Sequence, residues 1–386
     1  MSALQSSAAK DVELAPLVDD LSTYLISGRV KSHFKTDEKY ETMVRTPSQG
    51  IADGVAAERL GFRRVFLSER YDLKEAGALL GGIGALTSRI GLATGVIGAT
   101  SRHPLLAAAL GATLHAAYGP RFVYGIGRGA AGWNKGTGIT ENSFDALVDY
   151  ADMLYRLWRG ESVTYNGPAG SYEKMALADC YEGPVPEIWY GSFGLPKAAK
   201  AAATRAFSGV LLPAMFTPDG VRSSVKRIRE ACERIGRDPS TLRICASVVT
   251  APELDEFETR ALCHARAVTY LQPPAWGYPF HLVNGWDLEV IKKLQAHALF
   301  SRMKTSLADT SFHRVDLLEP ARLIPDTWMQ ESCAIGSITD CVRRLQAFKD
   351  AGADEITTYG STPGQNAKLI AAWREHSAAR QGGSPK

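Results

Sequence analysis

The stretch RFVYGIGRG, residues 121–129, begins with apolar and aromatic positions and ends in glycines at alternate positions. Such a run is either a dinucleotide-binding loop or the end of a strand where a flat ring can lie close to the backbone. A dinucleotide loop leads directly into a helix whose N-terminus meets the pyrophosphate. Here AAGWNKGTGITENS follows, and the next helical pattern starts near Ser143. The context favours a barrel strand against whose end a flat ring can lie, with a plain tight turn as the alternative.

Short β-branched or apolar segments alternate with stretches of helical spacing along the whole chain. The eight predicted strands are 21–27, 64–68, 90–96, 121–126, 187–191, 209–212, 242–249 and 354–360. A doubly wound sheet would leave the last of these strands unplaced, whereas a barrel requires eight strand–helix units. The sequence therefore predicts an α/β fold, a (β/α)8 TIM barrel, with residues 1–386 forming a single domain.

One segment, residues 271–333, interrupts this alternation. A structureless loop of that length is uncommon in a compact domain. We therefore predict a long insertion between the seventh strand–helix unit and the eighth strand, with helices of its own, one of them at 288–300, covering the substrate pocket. The aromatic side chains that favour burial there are Trp276, Phe280, Trp286, Phe312 and Trp328.

Composition excludes several classes of protein. The chain of 386 residues has 44 basic and 41 acidic residues, a balance that argues against a nucleic-acid partner. Its beginning does not have the pattern of a secretion signal, and its apolar stretches are too short to span a bilayer, so no membrane association is expected. The six cysteines show no C-x-x-C spacing and no metal-ligand pattern. We expect a cytoplasmic protein.

Six segments, in order along the chain, together resemble the luciferase-like monooxygenase superfamily of flavin and deazaflavin enzymes. They are AERLGFRRVFLSER, LTSRIGLATGVIGATSRHPLLAA, LHAAYGPRFVYGIGRG, DMLYRLWRGESVTYNG, PEIWYGSFGLPKAAKAAA and IGSITDCVRRLQAFKDAGADEITTYG. Within the superfamily the chain is most similar to the actinobacterial reductases that use coenzyme F420. The resemblance implies a barrel that binds F420, or alternatively FMN, at the carboxyl ends of its strands.

The resemblance also implies which residues hold the cofactor. The segment Thr94-Gly95-Val96 corresponds to a place where the family often has a non-proline cis peptide behind the central ring; an ordinary strand end is the alternative. The segment from Gly191 to Gly194 corresponds to the family's phosphate loop, where simple helix capping is the alternative. The full set of predicted cofactor-binding residues is Ser27, Thr94, Gly95, Val96, Gly127, Arg128, Gly129, Gly191, Ser192, Phe193 and Gly194.

Glu69, His103 and Tyr190 are the candidate catalytic residues. A surface ion pair is the alternative role of Glu69, and a helix cap or packing contact that of His103. The deazaflavin-dependent sugar-phosphate dehydrogenases have an Asp-His pair where this chain has Glu69-Arg70, and a glutamate where it has Ala130. Without that proton-transfer machinery, alcohol oxidation is disfavoured. Reduction of an activated C=C or C=O, with a proton from water or Tyr190, is the expected reaction.

The expected substrate is a small, largely apolar organic molecule, because the insertion is rich in aromatic side chains. An FMN-dependent monooxygenase on the same scaffold is one alternative, and a barrel without cofactor or activity is another. We expect the chain to form a homodimer and to use no metal.

Overall fold

The computed structural model describes residues 14–27, 45–70, 73–129, 138–303 and 307–382. Its strands are β1 Leu21–Tyr24, β2 Arg64–Leu67, β3 Gly91–Thr94, β4 Ile97–Gly98, β5 Phe122–Gly127, β6 Val163–Gly167, β7 Gly170–Met175, β8 Glu187–Gly191, β9 Gly209–Leu212, β10 Arg243–Pro252, β11 Cys333–Gly336 and β12 Glu355–Tyr359. Its α-helices are α1 Pro47–Leu60, α2 Ala76–Leu86, α3 Pro104–Tyr118, α4 Phe144–Trp158, α5 Pro196–Ala202, α6 Pro218–Arg234, α7 Glu256–Leu262, α8 His264–Leu271, α9 Pro274–Asn284, α10 Leu288–Gln295, α11 Ala308–Ser311, α12 Asp326–Ser332, α13 Ile338–Asp350 and α14 Ala367–Gly382.

Eight parallel strands close into a barrel. Their order is β1-β2-β3-β5-β8-β9-β10-β12, and β12 pairs with β1 to complete the circle. Each predicted strand corresponds to one of these eight, so the predicted (β/α)8 barrel is confirmed. The strands are parallel, and their carboxyl ends therefore meet at one end of the barrel, which we call the mouth.

Four short strands were not predicted. Strands β6 and β7 form a separate antiparallel hairpin before β8, β4 pairs with β5, and β11 pairs with β10. The segment of β11, CAIG, is too short for strand periodicity to be detected from the sequence. None of these additions changes the order of the barrel.

Two layers of buried side chains hold the barrel together. An inner cluster lies within the barrel and includes Tyr24, Phe66 and Trp189. A larger outer cluster lies between the strands and the surrounding helices and continues into the insertion. Parallel barrel strands are buried on both faces, which explains why they form near-continuous apolar runs in the sequence.

The chain between β10 and β11 consists of helices α7 to α12 and short 3-10 turns. The predicted helix at 288–300 is α10 followed by a 3-10 turn at Ala298–Arg302. Phe280, Trp286 and Trp328 are buried, and Trp276 and Phe312 are partly buried, as their residue types predicted. Helix α13 then packs beside β10 and β12, where the barrel requires a helix. Among the described helices, none has both the length and the apolarity that crossing a bilayer requires.

Candidate active site at the mouth of the barrel

The peptide bond between Gly95 and Val96 is cis, as the resemblance implied. It follows β3 directly and lies beside the glycines of β5 and β8. A Cβ at Gly127 would lie 3.0 Å from Cγ2 of Val96, and one at Gly191 would lie 2.9 Å from Cγ1 of the same residue. The glycines of these two strands therefore make room for Val96, a reason that the ring-binding hypothesis did not include.

Hydrogen bonds fix this segment from two sides. The Thr94 hydroxyl donates to the Gly125 carbonyl at 2.8 Å, and the Tyr24 hydroxyl donates to the Gly95 carbonyl. Burial raises the pKa of Tyr24 well above its ordinary value, and the neighbouring Tyr359 adds to this effect, so Tyr24 stays protonated and keeps donating. Thr94 and Tyr24 position the backbone around Val96.

Ser27 lies just beyond β1, and the side-chain hydroxyl has no hydrogen-bond partner among the described residues. The residue is only 6% exposed. A buried hydroxyl without a partner is costly, so a ligand atom at the mouth could provide the missing contact.

The predicted phosphate loop joins β8 to α5. The Ser192 hydroxyl accepts a hydrogen bond from the Gly194 amide at 3.0 Å, and Nε of Arg227 donates to the Gly194 carbonyl at 2.8 Å. Gly194 has φ +62, and a Cβ there would lie 2.7 Å from Cβ of Ser224, which makes glycine necessary. Leu195 gives α5 no side-chain cap, so the amides of the first turn remain available to an anion.

Phe193 joins the phosphate loop to the insertion. Its ring centroid lies 5.1 Å from that of Phe280 and 5.7 Å from that of Phe216. The structure thus uses Phe193 as a packing residue beneath the loop. Phe193 thus packs the phosphate loop against α9, which carries Phe280.

Arg128 is held by the loop that follows it. Its guanidinium donates to the Glu141 carboxylate and to the Asn142 carbonyl, both at 2.7 Å, and lies 4.1 Å from the centroid of the Phe144 ring. Gly129 has φ +84 and is exposed. Ala130 lies outside the described residues. Arg128 therefore organises the loop after β5 in this structure.

Glu69 and Arg70 lie beyond β2 but do not pair with each other. The Glu69 carboxylate accepts from Arg102 at 2.6 and 3.1 Å and from the Ala76 amide at 3.2 Å. Arg70 donates to Asp309 of α11 at 3.2 Å. Burial alone would lower the pKa of Arg102, but the carboxylates of Glu69 and Glu75 raise it above its ordinary value, so its charge is permanent.

The other two catalytic candidates lie away from the centre of the mouth. His103 caps α3, with Nδ1 accepting from the Leu105 amide at 3.2 Å, and is exposed. Tyr190 belongs to the outer cluster, with its ring centroid 5.4 Å from that of Phe207, whereas the preceding Trp189 belongs to the inner cluster. Burial raises the pKa of Tyr190 to about 12. The structure does not bring Glu69, His103 and Tyr190 together.

A cavity that the sequence did not reveal lies between the ends of β1, β2 and β12 and the insertion. We call it the mouth cavity, and its residues include Tyr24, Arg70, Arg266, Asp309 and Tyr359. The rings of Tyr24 and Tyr359 are 4.6 Å apart, nearly edge to face. These residues are far apart in sequence and conform to no motif, so only the fold could identify them as neighbours.

Two curated proteins resemble the chain over different lengths. F420-dependent glucose-6-phosphate dehydrogenase of Nakamurella multipartita is 33% identical over 210 residues, which are 48% of this chain and 61% of that protein. 5,10-methylenetetrahydromethanopterin reductase of Methanolobus tindarius is 24% identical over 313 residues, 80% of this chain and 89% of that protein. The chain thus spans only 61% of the Nakamurella dehydrogenase, and only 50% of the F420-dependent glucose-6-phosphate dehydrogenase of Microbacterium testaceum.

A solved structure has the same fold. The coenzyme F420 dependent tetrahydromethanopterin reductase from Methanopyrus kandleri superposes with a TM-score of 0.72 at 19% identity, over 92% of this chain and 97% of that chain. The family model described as luciferase-like monooxygenase matches residues 29–355. Since that match covers most of the sequence, the chain belongs to the luciferase-like monooxygenase family.

Proposed function

We propose that the protein is an oxidoreductase that transfers a hydride from the reduced deazaflavin coenzyme F420 to a largely apolar organic substrate, reducing an activated C=C or C=O bond. Family membership and the F420-dependent relatives support the cofactor. The 5,10-methylenetetrahydromethanopterin reductase aligns over most of its own length and most of this chain. The glucose-6-phosphate dehydrogenases align over a smaller part of each chain. This difference supports reduction.

The contacts of Glu69 and Arg70, which follow β2, are the main support for reduction over alcohol oxidation. Oxidation of an alcohol needs a base at the reacting carbon. The Glu69 carboxylate is held by Arg102 and the Ala76 amide, and Arg70 is bound to Asp309. Neither side chain is placed to take a proton from an alcohol. A reduction needs only a proton donor, which the tyrosines of the mouth cavity or water can provide.

The described residues are compatible with a cofactor that has a flat ring at one end and a phosphate group beyond it. Val96 and the glycines beside it would lie against the ring, and Ser27 offers a buried hydroxyl without a partner. The uncapped first turn of α5 and Ser192 would meet the phosphate. The proposed cofactor residues are therefore those predicted from the sequence, with Thr94 and Phe193 acting through the backbone and packing. When bound, F420 supplies the hydride.

We propose Tyr359, rather than Tyr190, as the side chain that can give the proton. Tyr359 lines the mouth cavity beside Tyr24, whereas Tyr190 is packed against Phe207 on the outer face of β8. A proton donor must reach the reacting carbon directly or through one water. Glu69 and His103 then serve as structural residues: Glu69 orders Arg102, and His103 caps α3.

We further propose that the protein acts in the cytoplasm as a homodimer. All six cysteines are free thiols, which suits a reducing compartment. Light scattering coupled to gel filtration of the purified chain measures the oligomeric state directly; a monomeric mass would contradict the dimer.

Fluorescence titration with F420 and with FMN, at low and high salt, tests the cofactor. F420 has an acidic oligoglutamate tail beyond its phosphate, and the exposed Lys197 and Lys200 lie on α5 next to the phosphate loop. We expect F420 to bind at least about tenfold more tightly than FMN. High salt should weaken F420 binding, because exposed charges are screened over about 10 Å at 0.1 M salt.

Turnover with 2-cyclohexenone and reduced F420 tests the reaction. We expect oxidation of the coenzyme to match loss of the enone, with Tyr359→Phe lowering the rate at least about tenfold. Tyr190→Phe is the matched control and should retain the rate. Tighter binding of FMN, with no salt effect on F420, would favour the monooxygenase; equal rates for both variants would show that water gives the proton.

A further inference from the structure

The tyrosine at the end of β12, Tyr359, lies against one face of helix α8. Arg266 and Tyr270 are four positions apart on that helix, a spacing that places both side chains on the same face. The guanidinium carbon of Arg266 lies 5.5 Å from the centroid of the Tyr359 ring. The ring centroids of Tyr270 and Tyr359 are 6.3 Å apart, with an angle of 59° between the rings. Two polar side chains of one helix therefore lie beside the same phenol.

The hydroxyl of Tyr270 forms a hydrogen bond with that of Tyr359. Tyr270 is buried, and burial raises its pKa far above the ordinary value for tyrosine. The negative charge that Tyr359 carries when it is ionised raises the pKa of Tyr270 further, and so does the hydrogen bond, whereas Arg266 lowers it. The net effect keeps Tyr270 protonated. Its hydroxyl is thus a hydrogen-bond donor to the Tyr359 oxygen whenever that oxygen is ionised.

Arg266 supplies a positive charge at the same place. Burial alone would lower the pKa of this arginine, but the ionised forms of Tyr359 and Asp309 raise it above its ordinary value, and Tyr359 has the larger effect. The guanidinium therefore keeps its charge. Asp309, at 3.6 Å from Arg266, and Arg70, which pairs with Asp309, are charged groups close by. Tyr24 of β1 faces Tyr359 from the neighbouring strand, with 4.6 Å between the ring centroids.

Packing fixes the ring of Tyr270. It stacks on the ring of Trp276 with centroids 5.5 Å apart and an angle of 23°, and its centroid lies 5.8 Å from that of Phe280. These contacts involve the ring and not the hydroxyl, so replacing Tyr270 by Phe removes the donor and retains the packing. A donor that is held in place before the reaction needs no reorganisation when charge develops next to it.

We propose that Tyr270 and Arg266 stabilise the phenolate that forms on Tyr359 when this residue gives its proton to the substrate. This inference rests on the proposed function for the role of Tyr359 as the donor. In the transfer, the O–H bond of Tyr359 breaks and its electron pair stays on the phenolic oxygen, while an O–H or C–H bond forms on the substrate that receives the hydride. Tyr270 donates a hydrogen bond to this oxygen, and Arg266 places a positive charge beside it. A proton from water then restores the phenol. Both residues act through Tyr359 and are therefore positioning residues.

Carbon-13 NMR of the full chain without cofactor, labelled at the ζ carbon of tyrosine, tests the inference separately from the reaction. The resonance that disappears in Tyr359→Phe belongs to Tyr359, and its position reports whether the phenol or the phenolate is present. Between about pH 8 and pH 11, we expect the ratio of phenolate to phenol to be at least about tenfold lower in Arg266→Met and at least about threefold lower in Tyr270→Phe, because each variant loses one source of stabilisation. Arg266→Lys retains the charge and should retain most of the ratio.

Arg260→Met and Tyr278→Phe are the matched controls. Arg260 of α7 pairs with Asp326 at 3.2 Å, and Tyr278 of α9 is 52% exposed. Neither variant should change the ratio at Tyr359. An unchanged ratio in Arg266→Met or in Tyr270→Phe, with a circular dichroism spectrum like that of the wild type, would overturn the inference.

Turnover of 2-cyclohexenone connects the inference to the proposed function. We expect kcat to fall at least about tenfold in Arg266→Met and about threefold in Tyr270→Phe, with KM changed by less than about twofold, because the stabilisation exists only once the proton leaves. Adding either change to Tyr359→Phe should cause no further loss, which structural damage would not reproduce. Loss of activity in Tyr359→Phe with unchanged kcat in the other two variants would overturn the inference alone. Full activity of Tyr359→Phe would instead contradict the proposed donor, and the NMR ratios would then decide the stabilisation by themselves.

Discussion

Glu355, at the start of β12, lies at the end of the barrel opposite the mouth and is fully buried. Its carboxylate accepts from Ser22 at 2.5 Å, from Arg64 at 2.9 Å and from Arg243 at 2.7 Å. Burial alone would raise the pKa of Glu355, but Arg64 and Arg243 hold it below its ordinary value. The Arg64 guanidinium also lies 4.6 Å from the Trp189 ring, so this network closes the floor of the inner cluster.

Replacing Glu355 by Gln should lower the free energy of unfolding by about 3–5 kcal/mol, because the buried Arg64 and the partly buried Arg243 lose their countercharge. Urea unfolding measures this. The control is Glu230→Gln, which removes exposed ion pairs at 3.9 Å and should cost less than about 1 kcal/mol. Equal losses in the two variants would contradict the role given to burial.

The same network predicts a pH dependence. A carboxylate whose folded pKa is depressed contributes stability above its unfolded pKa and loses it as the pH falls through the folded value. The stability difference between wild type and Glu355→Gln should therefore be full above about pH 4.3 and shrink as the pH falls further. A difference that stays constant down to pH 2 would show that the ionised carboxylate is not its source.

At the scale of elements, β5 and β8 pack against Val96, which follows β3, and their glycines leave room for its side chain. Gly127 and Gly191 have no side chain where the two methyl groups of Val96 lie. Thr94 ties β3 to the Gly125 carbonyl of β5. The glycine pattern of β5 is therefore part of the strand-to-strand packing as well as of any ring site.

Gly127→Ala tests this fit. The added Cβ would lie 3.0 Å from Cγ2 of Val96 and force it to move. We expect F420 affinity to fall at least about tenfold and stability to fall by about 1–3 kcal/mol. Gly81→Ala in α2, where a Cβ would meet nothing within 4 Å, should raise stability by about 0.4–1 kcal/mol and leave binding unchanged. Unchanged F420 affinity in Gly127→Ala would show that Val96 is not part of the cofactor site.

At the scale of the whole molecule, the insertion is joined to the barrel by aromatic packing. Phe280 of α9 is fully buried and contacts Phe193 of the phosphate loop and Phe216 after β9. Trp286 and Trp328 stack within the insertion with centroids 4.6 Å apart. A change in the packing of the insertion should therefore alter cofactor binding at the phosphate loop.

Phe280→Ala should lower the free energy of unfolding by about 3–5 kcal/mol, since it removes a fully buried ring. It should also weaken F420 binding, because Phe193 loses a packing partner beneath Ser192. Tyr278→Ala on the same helix is the control: Tyr278 is 52% exposed and should change stability by less than about 0.5 kcal/mol. Loss of stability with unchanged F420 affinity would show that the loop is independent of the insertion.

The sequence by itself determined where the barrel strands lie, because hydrophobic runs and glycine-rich ends are local patterns. All eight predicted strands form the barrel, and the cis peptide at Gly95–Val96 lies where the resemblance implied. The resemblance could be recognised because these features are contiguous along the chain.

Only the tertiary structure decided which side chains meet at the mouth. The face of Tyr190 could not be predicted, because a parallel barrel strand is buried on both sides and its alternation is hidden. The mouth cavity combines Tyr24 and Arg70 with Arg266 of α8, Asp309 of the insertion and Tyr359 of β12. Closing the barrel brings β1 beside β12, and this closure, which no local pattern encodes, creates the charged cavity.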